Sequence, residues 1–174
     1  MKDMTPDNVA AWLQTYLGTL KVESRLTRSV LDAVPADRAD YRPDPVSKSA
    51  LELVKHIASA DNRFVEAVIT GTFNPAAAVP ADAETPAQIA SWYAVQYAKN
   101  FEELTRATPE QLLAVLDFRG MFRQPAFAFL MMGLHHTVHH RGQLSSYLRS
   151  MGTTVPAIYG ESYDTAAAKK AAGA

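Results

Sequence analysis

The residues most able to do chemistry in this chain are its histidines. There are five, and four of them fall in the run His135-His136-Thr137-Val138-His139-His140. Read as helix, side chains four residues apart lie one turn apart on the same face. Two such pairs exist, His135 with His139 and His136 with His140. The apolar face separates them. Phe129, Met132, Gly133, His136, His140, Gln143, Leu144, Tyr147 and Met151 share one side of the helix, and His135 and His139 lie beside it. The inward pair is therefore His136 and His140. Two imidazoles at this spacing can reach one metal ion at about 2.0–2.1 Å from each nitrogen. The remaining histidine is His56, at the edge of another apolar stripe. Three neutral imidazoles would leave open positions for water or substrate, as in catalytic rather than closed structural sites. Blander readings stand beside this one. Taken alone, His56 fits a hydrogen-bonded core histidine better than a ligand, and the pair could be core or surface histidines.

Other residues qualify as neighbours of such a site. Gln143 shares the histidine face and could orient a ligand. Glu52, one turn before His56, is the nearest carboxylate in sequence and sits near the mouth at best. Ser24 and Thr27 interrupt the apolar stripe of the first helix; they could line a polar cavity or bond back to helix carbonyls. Tyr147 and Tyr159 combine an aromatic body with a polar tip, and core packing explains them equally well. Arg141 reads as a supporting group or an ordinary surface or packing residue. Gly142 costs roughly 1 kcal/mol inside a helix, which points to close approach of another helix there. No catalytic base can be named. No phosphate-binding glycine loop or serine-nucleophile motif is present.

The elements that must carry these residues are well punctuated. Thr5-Pro6, Thr85-Pro86 and Thr108-Pro109 each place a threonine N-cap before a proline that needs no N–H. Thr85 with Gln88, Thr108 with Gln111 and Ser49 with Glu52 have capping-box spacing. Gly152 stands where a C-terminal cap is expected. These marks and the apolar period predict helices over about 6–34, 49–70, 85–106 and 125–151, with a short helical piece near 109–116. The class is all-α, a four-helix bundle. The connections are long enough for a crossover, and the topology stays open. One domain spans 1–164, and 165–174 (TAAAKKAAGA) reads as a poorly ordered, low-complexity tail. A second apolar stripe, Phe127, Met131, Leu134 and Val138, lies on the reverse of the fourth helix. It suits a contact with a second copy, hence a homodimer.

Composition narrows the function. The chain has 174 residues, 48% hydrophobic and 20% charged, which is a globular balance. A net charge of −1 gives no electrostatic footprint for nucleic acid. No run approaches the roughly 18 apolar residues of a membrane span, and the segment with Lys2, Asp3 and Asp7 lacks a signal peptide's apolar core. The absence of cysteine excludes disulfides, thiolate ligands and a cysteine nucleophile. A cytoplasmic location is the default expectation.

The segment His136-Thr137-Val138-His139-His140-Arg141-Gly142-Gln143-Leu144, then Tyr147-Leu148-Arg149 and Val155-Pro156-Ala157-Ile158-Tyr159-Gly160, closely resembles the end of DinB-family proteins, the bacterial "damage-inducible" group. Leu51-Glu52-Leu53-Val54-Lys55-His56-Ile57-Ala58 resembles that family's other marked segment. The resemblance implies a four-helix bundle with a crossover connection, often dimeric. It also implies a metal site of one histidine on the second helix and a pair on the fourth, here His56, His136 and His140. Nickel and zinc are the metals it suggests. Within the wider superfamily, activities include S-transfer and isomerisation with low-molecular-weight thiols, and hydrolysis. The expectation is therefore a metal-dependent transferase or hydrolase acting on a small molecule, with low-molecular-weight thiols among the candidate substrates. The alternative is a non-enzymatic metal-binding or small-molecule-binding protein.

Overall fold

A computed structural model describes residues 4–73 and 78–173. Lys2 and Asp3 of the N-terminal segment, and Ala174 of the C-terminal stretch, lie outside the described residues. Helices α1 (Pro6–Asp32), α2 (Ala50–Thr70) and α3 (Pro86–Leu104) are followed by the one-turn α4 (Pro109–Leu113). A hairpin of β1 (Val115–Phe118) and β2 (Phe122–Pro125) leads into α5 (Ala126–Ser150), and α6 (Tyr163–Ala172) closes the described chain. Four long helices and a two-stranded hairpin keep the fold all-α in class.

The helix starts follow their caps. Thr5 accepts from the Asn8 N–H at 3.3 Å. Ser49 with Glu52, Thr85 with Gln88 and Thr108 with Gln111 form reciprocal capping boxes. Gly71 (φ 76°) ends α2 and Gly152 (φ 74°) follows α5, both left-handed, a conformation glycine adopts without steric penalty.

Around the bundle, α2 lies between α3 and α5, and α1 packs on the opposite side of the same two helices. Consecutive α1 and α2 are thus diagonal, as are α3 and α5. The 33–49 segment and the α4–hairpin segment each join diagonal helices, and this is the crossover. Leu13, Leu31, Leu53, Ile57, Ile89, Leu130 and Leu144 are all buried at the centre.

Two expectations change. The short helical piece ends at Leu113, and residues 115–125 form the hairpin. Val115↔Pro125 through Phe118↔Phe122 pair antiparallel. Residues 165–172, read as a loose tail, are helical. Ser162 and Thr165 form a capping box, and Arg149 reaches Asp164 at 2.7 Å. Alanine and lysine favour helix even where little is buried.

Candidate metal centre

The site lies where α2 and α5 pack together. Their separation is set at Gly133. A Cβ built there would meet Phe64 Cβ at 2.6 Å and Cγ at 2.8 Å, so only glycine admits this approach. Phe64 is two turns past His56, and Gly133 is one turn before His136. Leu53 and Ile57 on α2, and Phe129 and Leu144 on α5, are fully buried. With those positions inside, His56, His136 and His140 come to the edge of the core and are half-buried. His135 and His139 are exposed.

Three ring nitrogens converge. His136 Nε2 is 2.9 Å from His56 Nε2, and His140 Nε2 is 3.1 Å from it. The three rings stand edge to face, with centroids 4.5–4.7 Å apart. A tetrahedral ion with bonds of about 2.0–2.1 Å needs nitrogens roughly 3.3 Å apart. The two separations from His56 meet that requirement on opening by a few tenths of an ångström. As a group the three side chains could hold a metal ion.

The protonation states suit ligation. Burial, then the neighbouring His140 imidazole, pushes His56 down to about 4. Burial, then His140 and His56, does the same to His136. Both are neutral at pH 7. His140 Nδ1 lies 3.0 Å from Gln143 Oε1. An amide oxygen only accepts, so Nδ1 carries the proton and Nε2 presents its lone pair to the centre. Gln143 Nε2 donates in turn to Tyr147 OH at 3.3 Å, and Tyr147 OH donates to Lys48 O at 3.2 Å. This chain ties the His140 ring to the segment before α2. It is the orienting arrangement common at metal-bound histidines. His136 Nδ1 is buried without a protein partner among the described residues.

A pocket of about 140 Å³ opens beside His56 and His136, lined by Ala60, Arg63, Phe64, Phe73, Phe118 and Arg119. Phe73 packs edge-on against Phe64 and Phe118. A larger groove of about 440 Å³ between α1 and α3 shares none of these residues. Arg63, Phe73, Phe118 and Arg119 escaped the sequence reading. The sign available was Asp117-Phe118-Arg119-Gly120, a turn between β-compatible stretches Val115–Phe118 and Phe122–Pro125.

The structure brings Gln143 and Tyr147 to the histidines and leaves the other candidates elsewhere. Glu52 is exposed; it caps its own helix at Ser49 N (2.8 Å) and pairs with Arg42 (2.9 Å). Ser24 Oγ donates back to Lys21 O at 3.1 Å. Thr27 is fully buried and accepts from Arg141 Nη1 at 3.2 Å. Arg141 is no surface group: its side chain is 1% exposed and pairs with Glu23 at 2.7 Å. Its Nη2 also donates to Tyr159 OH at 2.6 Å. It follows His140 directly, so this anchoring fixes how α5 is rotated. Gly142 is exposed, with nothing near a built Cβ; the close approach expected there occurs at Gly133.

Comparison with known proteins agrees with this architecture. The sequence profile of the DinB family matches residues 4–171. The uncharacterized protein YjoA of Bacillus subtilis is 30% identical over 137 residues, 77% of this chain and 87% of YjoA. The crystal structure of that DinB-like protein superposes with a TM-score of 0.69 at 25% identity, covering 85% of this chain and 99% of the other. A DinB-like protein from Bacillus cereus ATCC 10987 gives 0.71 at 25% identity, over 84% and 97%. The chain belongs to the DinB family.

Proposed function

We propose that His56, His136 and His140 bind one divalent transition metal ion, nickel or zinc. We further propose that the chain is a metal-dependent enzyme of S-transferase or hydrolase type acting on a small molecule. One observation carries the reading: the Nε2 atoms of His136 and His140 lie 2.9 and 3.1 Å from that of His56, and His56 and His136 line an open pocket. The ion would act as a Lewis acid, lowering the pKa of bound water toward about 7 or binding a thiolate. Gln143 would hold the His140 ring in the ligating tautomer. Phe64, Phe73 and Phe118 would exclude bulk water from the reacting atoms.

A second reading, a non-enzymatic binding protein, is favoured by a separate observation. Among the described residues lining the pocket there is no carboxylate, so no side chain there is an evident general base beyond the imidazoles. Elemental analysis of purified protein, beside thiol-transfer and hydrolase assays, separates the two. We expect one metal per chain in the wild type and in His135→Ala, and a loss of at least 80% of it in His136→Ala and His140→Ala. Full metal in both of the last two variants would sink the metal assignment. Full metal with no turnover in either assay would favour the binding protein.

A further inference from the structure

The groove between α1 and α3 is larger than the pocket at the histidines and differently built. Its volume is about 440 Å³, within the usual range for small-molecule sites. Lys21, Arg25 and Arg28 line one wall, and Tyr93, Tyr97 and Phe101 line the other. Each set recurs at helical spacing, so each wall is one face of one helix. Ala94 and Ala98 complete the α3 wall, and their single methyl groups leave the groove its depth.

The aromatic wall is fixed from the core side. Tyr93 is 1% exposed and Tyr97 4%. Tyr93 OH donates to Asp61 Oδ2 at 2.6 Å. The Tyr97 and Phe101 rings lie nearly parallel, with planes 23° apart and centroids separated by 6.5 Å. The Tyr97 hydroxyl has no hydrogen bond to the protein among the described residues. Buried tyrosines usually find a partner, so this one is left for a ligand or water to meet.

The opposite wall sets the sign of the charge. No carboxylate lines the groove among the described residues. Arg28 is paired with Asp32 at 2.7 Å. Lys21 and Arg25 are exposed and one turn apart. Arg25 Nε donates to Lys21 O at 3.4 Å, and no acidic side chain pairs with either residue among the described residues. Water solvates these two cations without strain; their effect is to make the rim of an aromatic groove positive. Complementary charge then selects an anion over its neutral counterpart. An apolar cavity of about 150 Å³ accepts one benzene ring, so this groove has room for two fused rings and a charged group.

We propose that the α1–α3 groove binds an organic carboxylate with a planar two-ring body. The body lies against Tyr93, Tyr97 and Phe101, and the carboxylate meets Lys21 and Arg25 at the rim. Arginine is suited to this, because its guanidinium matches a carboxylate through paired N–H donors. The site stands apart from His56, His136 and His140 and does not depend on the metal reading.

Calorimetric titration with 2-naphthoate, 2-naphthamide and decanoate tests it, with metal content measured on the same samples. Naphthoate should bind about tenfold more tightly than neutral naphthamide, the scale of a charge-assisted contact. The double variant Lys21→Gln, Arg25→Gln should weaken naphthoate by about the same factor and change naphthamide less than about twofold. Ala98 is exposed, and leucine is a good helix former. Ala98→Leu should therefore keep the melting temperature and metal content while weakening both naphthalene ligands about tenfold or more by filling the groove. Equal affinity for naphthoate and naphthamide, or unchanged naphthoate affinity in folded Ala98→Leu, would overturn the proposal. Loss of naphthoate binding on chelation or in His136→Ala would overturn it too, because the carboxylate would then sit on the metal. Tighter binding of decanoate than of naphthoate would overturn the planar body.

Discussion

A histidine takes a metal only when its nitrogen is free of a proton, so the local environment sets the working pH of each ligand. His56 and His136 are held at about 4, against about 6.5 for an unfolded histidine. Between those values the unfolded chain binds more protons than the folded one. Stability from these two groups is therefore complete above about 6.5 and is lost as pH falls toward 4. Asp61 works the other way. Burial raises it to about 6, despite the bond from Tyr93 OH at 2.6 Å, so its folded form gains protons first and its destabilising charge appears as pH rises from about 4 to 6. Asp61→Asn should thus steepen the loss of melting temperature from pH 6 to 4; an unchanged slope would show that Asp61 is not shifted. Spacing alone suggests proton competition for the metal near 6.5. Burial lowers that limit for His56 and His136, so zinc should still raise the melting temperature at pH 5, by less than at pH 7.5, and have no effect near pH 4. Abolition already at pH 5 in calorimetry would show that the burial of His56 and His136 does not set the acid limit of the site.

At the scale of elements, two glycines on α5 make opposite predictions. Gly133 meets Phe64 at a distance no Cβ can tolerate, and no rotamer change moves the Phe64 Cβ. Gly133→Ala should cost about 1–3 kcal/mol by overpacking and reduce metal affinity, because it parts the helices carrying His56 and His136. Gly142 faces open space. Gly142→Ala should stabilise by roughly 0.5–1 kcal/mol through helix propensity, with metal content unchanged. Thermal denaturation and elemental analysis check both; stabilisation by Gly133→Ala would refute the packing argument. Gly142 misled because an interior helical glycine looks alike in sequence whether or not a neighbour presses on it. Arg141 was equally ambiguous, since only the fold brings Glu23, Thr27 and Tyr159 around it.

For the whole molecule, the open question of assembly centres on the reverse stripe of α5. Within one chain Phe127 packs edge-on against Trp12, with centroids 5.5 Å apart. Leu134 and Val138 are half-buried, and Met131 is 39% exposed. That strip is partly covered by its own chain and leaves apolar surface over. We expect a homodimer through this face: light scattering should give twice the chain mass at micromolar concentration, and Met131→Glu should give the single mass with its helical spectrum intact. A wild-type monomer, or a dimer unaffected by Met131→Glu, would remove the idea. Among the described residues no helix is long and apolar enough to cross a membrane.

Local rules carried the sequence a long way. Threonine-proline starts, capping boxes and the 3.6-residue period mark α1, α2, α3 and α5, because caps and amphipathic faces depend on residues a few positions apart. The face argument also separates His136 and His140 from His135 and His139, since a helix sets their angles by itself. Tertiary structure decided what depends on distant partners. It placed His56 within 3.1 Å of residues 80 and 84 positions away, and chose the diagonal order of the helices. The hairpin was hidden because a short two-stranded ribbon owes its stability to packing on the bundle more than to its own sequence. Arg63 and Arg119 were hidden for the same reason: a pocket is made where elements meet, and no segment contains it.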